Sequence, residues 1–154
     1  MTVHIAIRIE ERSWRAAVPD ARALVRRAVR AALRVAPARP ADDTEMTVLL
    51  ADDALLHRLN RDFRGKDKPT NVLSFTAGEP GLLGDVAIAW ETTAAEAVAA
   101  GKPVADHLAH LVVHGTLHLL GYDHETTEDA ATMEPLEVKA LAGLAIADPY
   151  RDAA

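Results

Sequence analysis

Three histidines in the second half of the chain have a spacing that could hold a metal ion. His114 and His118 are four residues apart, and His124 follows six residues later. Residues i and i+4 of a helix lie above one another on one face, so the first two imidazoles can reach one point. Gly121 can take a left-handed conformation that ends the helix and turns the chain back, which brings His124 toward the pair. Three imidazoles with an open fourth position are typical of catalytic zinc, so His114, His118 and His124 are the predicted ligands and Zn²⁺ is the predicted ion.

The same spacing occurs in the metzincin zinc peptidases, which place a glutamate directly after the first histidine as general base. This chain has Gly115 there. A glycine inside a helix costs about 1 kcal/mol relative to alanine, so we expect another segment to approach the backbone closely at this point. The metal scaffold is therefore present, whereas the proton acceptor of a peptidase is absent. No acidic residue is an evident replacement, and Asp85 and Asp123 are candidates only for supporting roles.

Two further histidines, His107 and His110, lie on the same stripe of the predicted helix. His110 is one turn before His114 and could compete with it as a ligand. The turn at Gly121 favours the later trio, so we interpret His110 as a buried residue that supports a ligand, because metal-bound imidazoles need hydrogen-bond partners. We interpret His107 as a surface residue near the start of the helix.

A polar segment in the middle of the chain concentrates positive charge. Five basic side chains fall within eleven residues: Arg58, Arg61, Arg64, Lys66 and Lys68. Taken alone, such a run is most often a solvated surface. Beside a hydrolytic metal, cations aimed at a phosphate would favour phosphoryl chemistry. Arg61, Lys66 and Lys68 are accordingly our candidates for substrate binding.

The composition indicates one small domain without disulfide bonds. The chain has 154 residues, of which 49% are hydrophobic and many are alanine, so we expect a helix-rich core built from small side chains. The absence of cysteine excludes disulfides, thiolate catalysis and cysteine zinc sites. We find no basic leader followed by an apolar block and no apolar run long enough to span a bilayer. We therefore expect a soluble cytoplasmic protein with no membrane partner.

The net charge of −6 argues at first against a nucleic-acid partner, but the charges are unevenly distributed. Residues 1–40 carry nine arginines and three acidic residues, whereas residues 91–154 carry three basic and eleven acidic ones. An acidic total is therefore compatible with a locally basic surface. The arginine-rich first helix could equally be a solvated face and nothing more.

Hydrophobic periodicity and turn residues predict an α+β domain over residues 1–154, with a small mixed four-stranded sheet covered by about five helices. Strands are predicted at residues 3–9, 46–50, 71–75 and 85–90, with a turn at 78–81. Helices are predicted at residues 19–34, 53–63, 92–100 and 103–120, and a last acidic helix from Asp123 onward.

Several segments together resemble the YbeY family of bacterial metal-dependent endoribonucleases. The resemblance runs from about residue 59 to residue 137 and rests on residues 59–75 (LNRDFRGKDKPTNVLSF), 83–85 (LGD), 114–124 (HGTLHLLGYDH) and 133–134 (ME). There are departures from the family pattern. The family usually has proline after the Ser-Phe pair, where this chain has Thr76, and residues 76–82 form a short stretch. A substrate contact made by that loop in the family is therefore not carried over to this chain.

The resemblance implies that His114, His118 and His124 bind the metal and that Arg64 is catalytic. It also implies an endoribonuclease that acts on single strands in ribosomal RNA processing, at the 3′ end of 16S rRNA, and in ribosome quality control. RNA and the ribosome or its proteins would be the partners. Two alternatives stay open. One is another zinc hydrolase of the peptidase type, which Gly115 disfavours, and the other is a non-catalytic metal-bound ribosome-assembly factor that docks through its basic face.

Overall fold

Four strands and six helices make up the part of the chain that the computed structural model describes, residues 2–37 and 40–151. The elements are β1 (Val3–Ile9), α1 (Ser13–Ala17), α2 (Ala21–Val35), β2 (Thr44–Ala51), α3 (Asp53–Arg64), β3 (Val72–Glu79), β4 (Leu82–Ala89), α4 (Trp90–Ala100), α5 (Val104–Leu119) and α6 (Thr127–Ala142). The predicted α+β class with a small mixed sheet is confirmed. Within the described residues, no helix is both long and apolar enough to cross a membrane.

The sheet has the strand order β1-β2-β4-β3. Strands β1, β2 and β4 run parallel, and β3 pairs with β4 as an antiparallel hairpin. The hairpin is tighter than predicted, because β3 continues to Glu79 and only Pro80 and Gly81 form the turn. Gly81 has a φ of 83°, a left-handed conformation that glycine adopts without a Cβ clash. The order places β1 and β3 at opposite edges of the sheet.

Helices cover the two faces of the sheet unequally. On one face, α5 contacts β3 and β4 and also packs against α2, α4 and α6. Its apolar side is fully buried, with Leu108, Val112 and Leu117 all at 0% exposure. The opposite face carries α3 over a smaller apolar cluster that includes Leu56 and Leu73. The helix that contains His114 and His118 is therefore held from several sides, which restricts its movement.

The short helix α1 is one element that the sequence did not predict. It buries Trp14 completely, and the indole N–H donates a hydrogen bond to the Ala51 carbonyl oxygen at 3.0 Å. The ring of Trp90 meets Trp14 edge to face, with 5.0 Å between the ring centroids. A helix of five residues is too short to show a hydrophobic period, so this contact depends on tertiary packing.

The last helix begins at Thr127, not at Asp123 as predicted. The Thr126 hydroxyl accepts a hydrogen bond from the Asp129 backbone N–H at 3.0 Å and caps the first turn. A capped start of this kind fixes where helical hydrogen bonding can begin. Residues 121–126 are therefore a loop, and this loop contains His124.

Candidate metal centre

The two helical histidines present their imidazoles at one point, as their spacing predicts. His114 and His118 lie in the last two turns of α5 with their Nε2 atoms 3.1 Å apart. Gly121 follows the helix with a φ of 102°, and the Tyr122 N–H donates to the Leu117 carbonyl oxygen at 3.1 Å. These two features end the helix and reverse the chain, which confirms the predicted role of Gly121.

The reversal brings His124 to the helical pair. Its ring centroid lies 4.9 Å from that of His114 and 5.1 Å from that of His118. One nitrogen atom from each of the three imidazoles lies within 4.8 Å of the others, a group that could hold a metal ion. The backbone N–H of His124 donates to the Asp123 carboxylate at 2.7 Å, so Asp123 orders the loop that carries the third histidine.

A buried carboxylate lies behind His114. Glu137 of α6 has 0% exposure, and its Oε1 atom lies 3.0 Å from His114 Nδ1 and 2.8 Å from His110 Nε2. Tyr150 donates its hydroxyl hydrogen to the other oxygen at 2.8 Å. A carboxylate on Nδ1 leaves Nε2 of His114 free for a metal and fixes the ring orientation. The sequence alone does not reveal Glu137, because nothing local links it to a histidine 23 residues earlier.

Hydrogen bonding keeps the buried carboxylate ionised. Burial alone would raise the pKa of Glu137, but the hydrogen bonds from His110, His114 and Tyr150 outweigh burial and lower the pKa to about 2. Burial of the hydroxyl and its hydrogen bond to Glu137 raise the pKa of Tyr150, so this residue stays a hydrogen donor at neutral pH. The carboxylate therefore remains an acceptor for all three partners.

The central ligand candidate has the protonation state that metal binding requires. Burial, together with the nearby His114 and His124, lowers the pKa of His118 to about 4. Its imidazole is therefore neutral at neutral pH, and only a neutral imidazole has a lone pair to offer a metal. Converging nitrogen atoms, a neutral ring and a carboxylate behind one ligand together fit a bound divalent ion.

The structure agrees with the prediction for one of the two earlier histidines, His110, and contradicts it for the other, His107. His110 is half-buried and hydrogen-bonded to Glu137, consistent with its predicted supporting role. The prediction for His107 is wrong, because this residue is 7% exposed and its Nε2 lies 2.8 Å from the Glu96 carboxylate. The packing of α4 against α5 covers it. Burial lowers the pKa of His107 despite the hydrogen bond to Glu96.

A cavity of about 580 Å³ opens between the three imidazoles and the segment that follows α3. Its lining includes Arg64, Lys66, Lys68, His114, His118 and His124. Arg61, a predicted substrate-binding residue, does not line this cavity and pairs with Asp62 at 2.9 Å instead. Asp85, a candidate for a supporting role, lies in a separate groove beside Phe63 and Phe75 and does not line the cavity of the histidines.

Arg64 reaches the cavity from the last residue of α3. Gly65 ends the helix in a left-handed conformation with a φ of 67°, and the Lys66 N–H donates to the Asn60 carbonyl oxygen at 3.1 Å. The buried Asn60 amide also donates to the Lys68 carbonyl oxygen at 2.9 Å. The Arg64 guanidinium donates to the Ser74 carbonyl oxygen and lies 5.4 Å from the centre of the Phe75 ring. Two contacts therefore orient an exposed cation toward the cavity.

Gly115 provides the close approach that its helix position predicts. A Cβ atom at this residue would lie 2.6 Å from Val86 Cγ1 and 3.1 Å from Ser74 Oγ. The Ser74 hydroxyl donates to the Gly115 carbonyl oxygen at 3.2 Å. Ser74 thus contacts both α5, through Gly115, and the guanidinium of Arg64, which fixes the histidine helix relative to the arginine.

Similarity to known proteins identifies the family of this chain. The family model described as endoribonuclease YbeY matches residues 8–145. The chain belongs to the endoribonuclease YbeY family. A Paramagnetospirillum magneticum protein named endoribonuclease YbeY is 51% identical, with 97% of each chain covered. Proteins of the same name from Rhodospirillum rubrum and Azorhizobium caulinodans are 51% and 49% identical; the alignments cover 98% and 96% of this chain and 83% and 96% of those proteins.

A solved structure supports the fold of this YbeY-family chain independently of close sequence similarity. The solution structure of a Thermotoga maritima protein matches with a TM-score of 0.54, covering 98% of this chain and 100% of that one. The two chains are only 22% identical, so this likeness concerns the fold alone.

Proposed function

We propose that this chain is a metal-dependent endoribonuclease that cuts single-stranded RNA. The observation that carries the proposal is the meeting of three imidazoles with Arg64, Lys66 and Lys68 around one cavity. Cations beside a candidate metal site suit a phosphodiester, whose charge they can balance. Family membership supports RNA as the substrate, since relatives about half identical to this chain are named endoribonucleases.

We assign the metal site to His114, His118 and His124, and the ion to Zn²⁺. Three imidazole nitrogen donors suit zinc, and a site with three protein ligands keeps a position open for chemistry. When bound, such an ion polarises a phosphoryl oxygen and lowers the pKa of water. We propose that residues 1–154 act as one domain in this reaction.

The chain's own residues would divide the remaining work. Glu137 accepts a hydrogen bond from His114 Nδ1 and so holds Nε2 toward the metal. Arg64 would bind the scissile phosphate, because its planar guanidinium matches two phosphate oxygens and its charge balances the charge that builds in the transition state. Lys66 and Lys68 would contact neighbouring phosphates from the same rim of the cavity.

We further propose ribosomal RNA as the physiological substrate. The family resemblance favours maturation of the 3′ end of 16S rRNA and ribosome quality control, with contacts to the ribosome or its proteins. Both processes belong to the cytoplasm, which is the location we assign. A non-catalytic assembly factor would use the same surfaces for docking without cleavage.

One experiment separates these functions. Purified protein is incubated with single-stranded RNA before metal removal, after treatment with a chelator, and after re-addition of Zn²⁺. Cleavage that disappears with the chelator and returns with Zn²⁺ supports the proposal. RNA binding without cleavage in every condition identifies a docking factor, and chelator-sensitive digestion of unfolded casein identifies a peptidase. Elemental analysis of the untreated protein gives the metal.

A further inference from the structure

The segment after α6 returns to the candidate metal centre. The Ile146 N–H donates to the Leu141 carbonyl oxygen at 2.9 Å, and Ala145 has a φ of 60°, so the chain reverses directly after the helix. The Asp148 carboxylate accepts a hydrogen bond from the Tyr150 backbone N–H at 2.8 Å. This turn directs the Tyr150 side chain toward α5, where its ring meets His110 edge to face with 5.6 Å between centroids.

Tyr150 satisfies the one oxygen of Glu137 that the histidines leave open. His110 and His114 both contact Oε1, whereas the Tyr150 hydroxyl donates to Oε2 at 2.8 Å. Glu137 has 0% exposure, so an unpaired oxygen would have no ready access to water. A buried carboxylate with partners on only one oxygen can turn about its terminal bond. Partners on both oxygens prevent that rotation and keep Oε1 in line with His114 Nδ1.

We propose that Tyr150 is a positioning residue for His114 and acts through Glu137. The proposal rests on the proposed metal site and extends it by two hydrogen bonds that the Glu137 carboxylate accepts, one from His114 and one from the Tyr150 hydroxyl. Residues behind a metal ligand fix the tautomer and orientation of its ring, and their loss typically lowers metal affinity about 10- to 100-fold. Tyr150 is one hydrogen bond further from the metal ligand than Glu137. We therefore expect its loss to lower metal affinity by an amount near the lower end of this range.

The test substitutes Tyr150 by phenylalanine, which keeps the ring against His110 and removes only the hydroxyl. Zn²⁺ affinity is measured by competition with a chromogenic chelator. Tyr150→Phe should bind Zn²⁺ about tenfold more weakly than wild type. The neighbouring exposed Arg151 provides the matched control, and Arg151→Ala should stay within about twofold of wild type, as expected for a surface change.

A double-mutant cycle shows whether the effect passes through the carboxylate. In a Glu137→Gln background, adding Tyr150→Phe should change Zn²⁺ affinity by less than about twofold, because the coupled partner is already gone. An equal tenfold loss in both backgrounds would overturn the proposed route. Wild-type affinity in Tyr150→Phe would overturn the positioning role. If that variant does not fold, Glu137→Gln is measured alone, and wild-type Zn²⁺ affinity there would equally overturn the proposal, because nothing could then act on His114 through the carboxylate.

A measurement without metal separates this inference from the proposed function. Nitrogen-15 spectra of metal-free protein report whether the proton of His114 is on Nδ1. We expect a protected Nδ1–H in wild type and faster exchange of this proton in Tyr150→Phe. This result stands even if wild type binds no Zn²⁺, an outcome that would overturn the metal-dependent function. An unchanged Nδ1–H in Tyr150→Phe would contradict the role of Tyr150 whatever the metal results are.

Discussion

Arg64 is the residue whose removal best separates chemistry from folding. Its side chain is exposed, and its contacts are the Ser74 carbonyl oxygen and the Phe75 ring. We expect Arg64→Ala to lower the rate of RNA cleavage about a hundredfold to a thousandfold, the usual cost of removing one preorganised donor in a transition state. The melting temperature should change by less than about 4 °C, since one exposed hydrogen bond is lost. Calorimetry and single-turnover cleavage measure the two quantities.

Two variants serve as controls for Arg64. Arg64→Lys keeps the charge and loses the planar fork, so it should recover only part of the activity. Arg58→Ala removes an exposed cation from the same helix outside the cavity lining and should cleave at the wild-type rate. Activity of Arg64→Ala within about twofold of wild type would show that Arg64 has no role in the transition state.

His118 is a ligand candidate whose ring contacts those of both His114 and His124. His118→Ala should purify with far less than one equivalent of metal, because two imidazoles seldom hold a zinc ion at low free concentration. His4→Ala is the matched control, because His4 is exposed on β1 and its Nε2 lies 3.3 Å from the Asp43 carboxylate, apart from the three candidate ligands. Elemental analysis of both proteins is the measurement, and full occupancy in His118→Ala would refute the ligand assignment.

At the scale of elements, the contact between α5 and the sheet determines the position of the two helical histidines. A Cβ at Gly115 would lie 2.6 Å from Val86 Cγ1, so something must shift, and Val86 is fully buried. We expect Gly115→Ala to destabilise the protein by about 1–3 kcal/mol, as overpacking a core does, despite the higher helix propensity of alanine. Urea unfolding gives the free energy.

The same overpacking has a specific rescue. Val86→Ala removes the atoms that would clash, so the penalty of Gly115→Ala should shrink in the double variant. The coupling should exceed about 0.5 kcal/mol, the level expected for residues in contact. If the double variant instead loses the sum of the two single losses in unfolding free energy, α5 moves away from β4 as a whole. Zn²⁺ affinity would then fall as well.

The sequence could predict those parts of the site that depend on one element and its end. His114, His118 and Gly121 follow from helix geometry and from the conformational freedom of glycine, which are local properties. Glu137 and Tyr150 could not be predicted, because their contacts join α5 to α6 and to the segment after α6. The error at His107 has the same origin, since the helix that covers this residue, α4, is packed there by tertiary contacts.

At the scale of the whole molecule, the ionised Glu137 should make stability depend on acid. Its pKa in the folded state is about 2, below the ordinary value of 4.5. A lowered pKa contributes stability that is complete above pH 4.5 and is lost as the pH falls toward 2. This difference in pKa corresponds to about 3 kcal/mol of unfolding free energy. In urea titrations of metal-free protein, wild type should therefore be more stable than Glu137→Gln at pH 7, and the gap should narrow below pH 4.5. A gap that stays constant between pH 7 and pH 3 would contradict the lowered pKa.

The acidic total conceals two separate basic surfaces at opposite edges of the sheet. Lys66 and Lys68 line the cavity beside β3. The exposed arginines of α2 flank β1, and strand β1 lies three strand spacings, or roughly 14 Å, from strand β3. Two of the α2 arginines hydrogen-bond to the backbone of β1. Arg22 donates to the Ile7 carbonyl oxygen at 2.7 Å and Arg26 to the Ile5 carbonyl oxygen at 3.4 Å, so both protect the open edge of β1. We therefore expect the cavity, not α2, to provide the phosphate contacts.

Salt dependence tests that assignment. Each phosphate contact on single-stranded RNA contributes a slope of about −0.7 to the logarithm of affinity against the logarithm of salt concentration. About three contacts therefore lower affinity about twentyfold between about 50 and about 200 mM salt.

Binding is measured on a cleavage-deficient His118→Ala background. There, Lys66→Ala with Lys68→Ala should reduce the slope by more than half. Arg30→Ala with Arg34→Ala removes the same charge from α2 and should leave it unchanged, because these side chains line a separate small groove with Val3, Ile5 and Leu33. A slope that falls only in the α2 variant would place RNA on the β1 edge, and a slope near zero in the parent protein would rule out electrostatic docking at both surfaces.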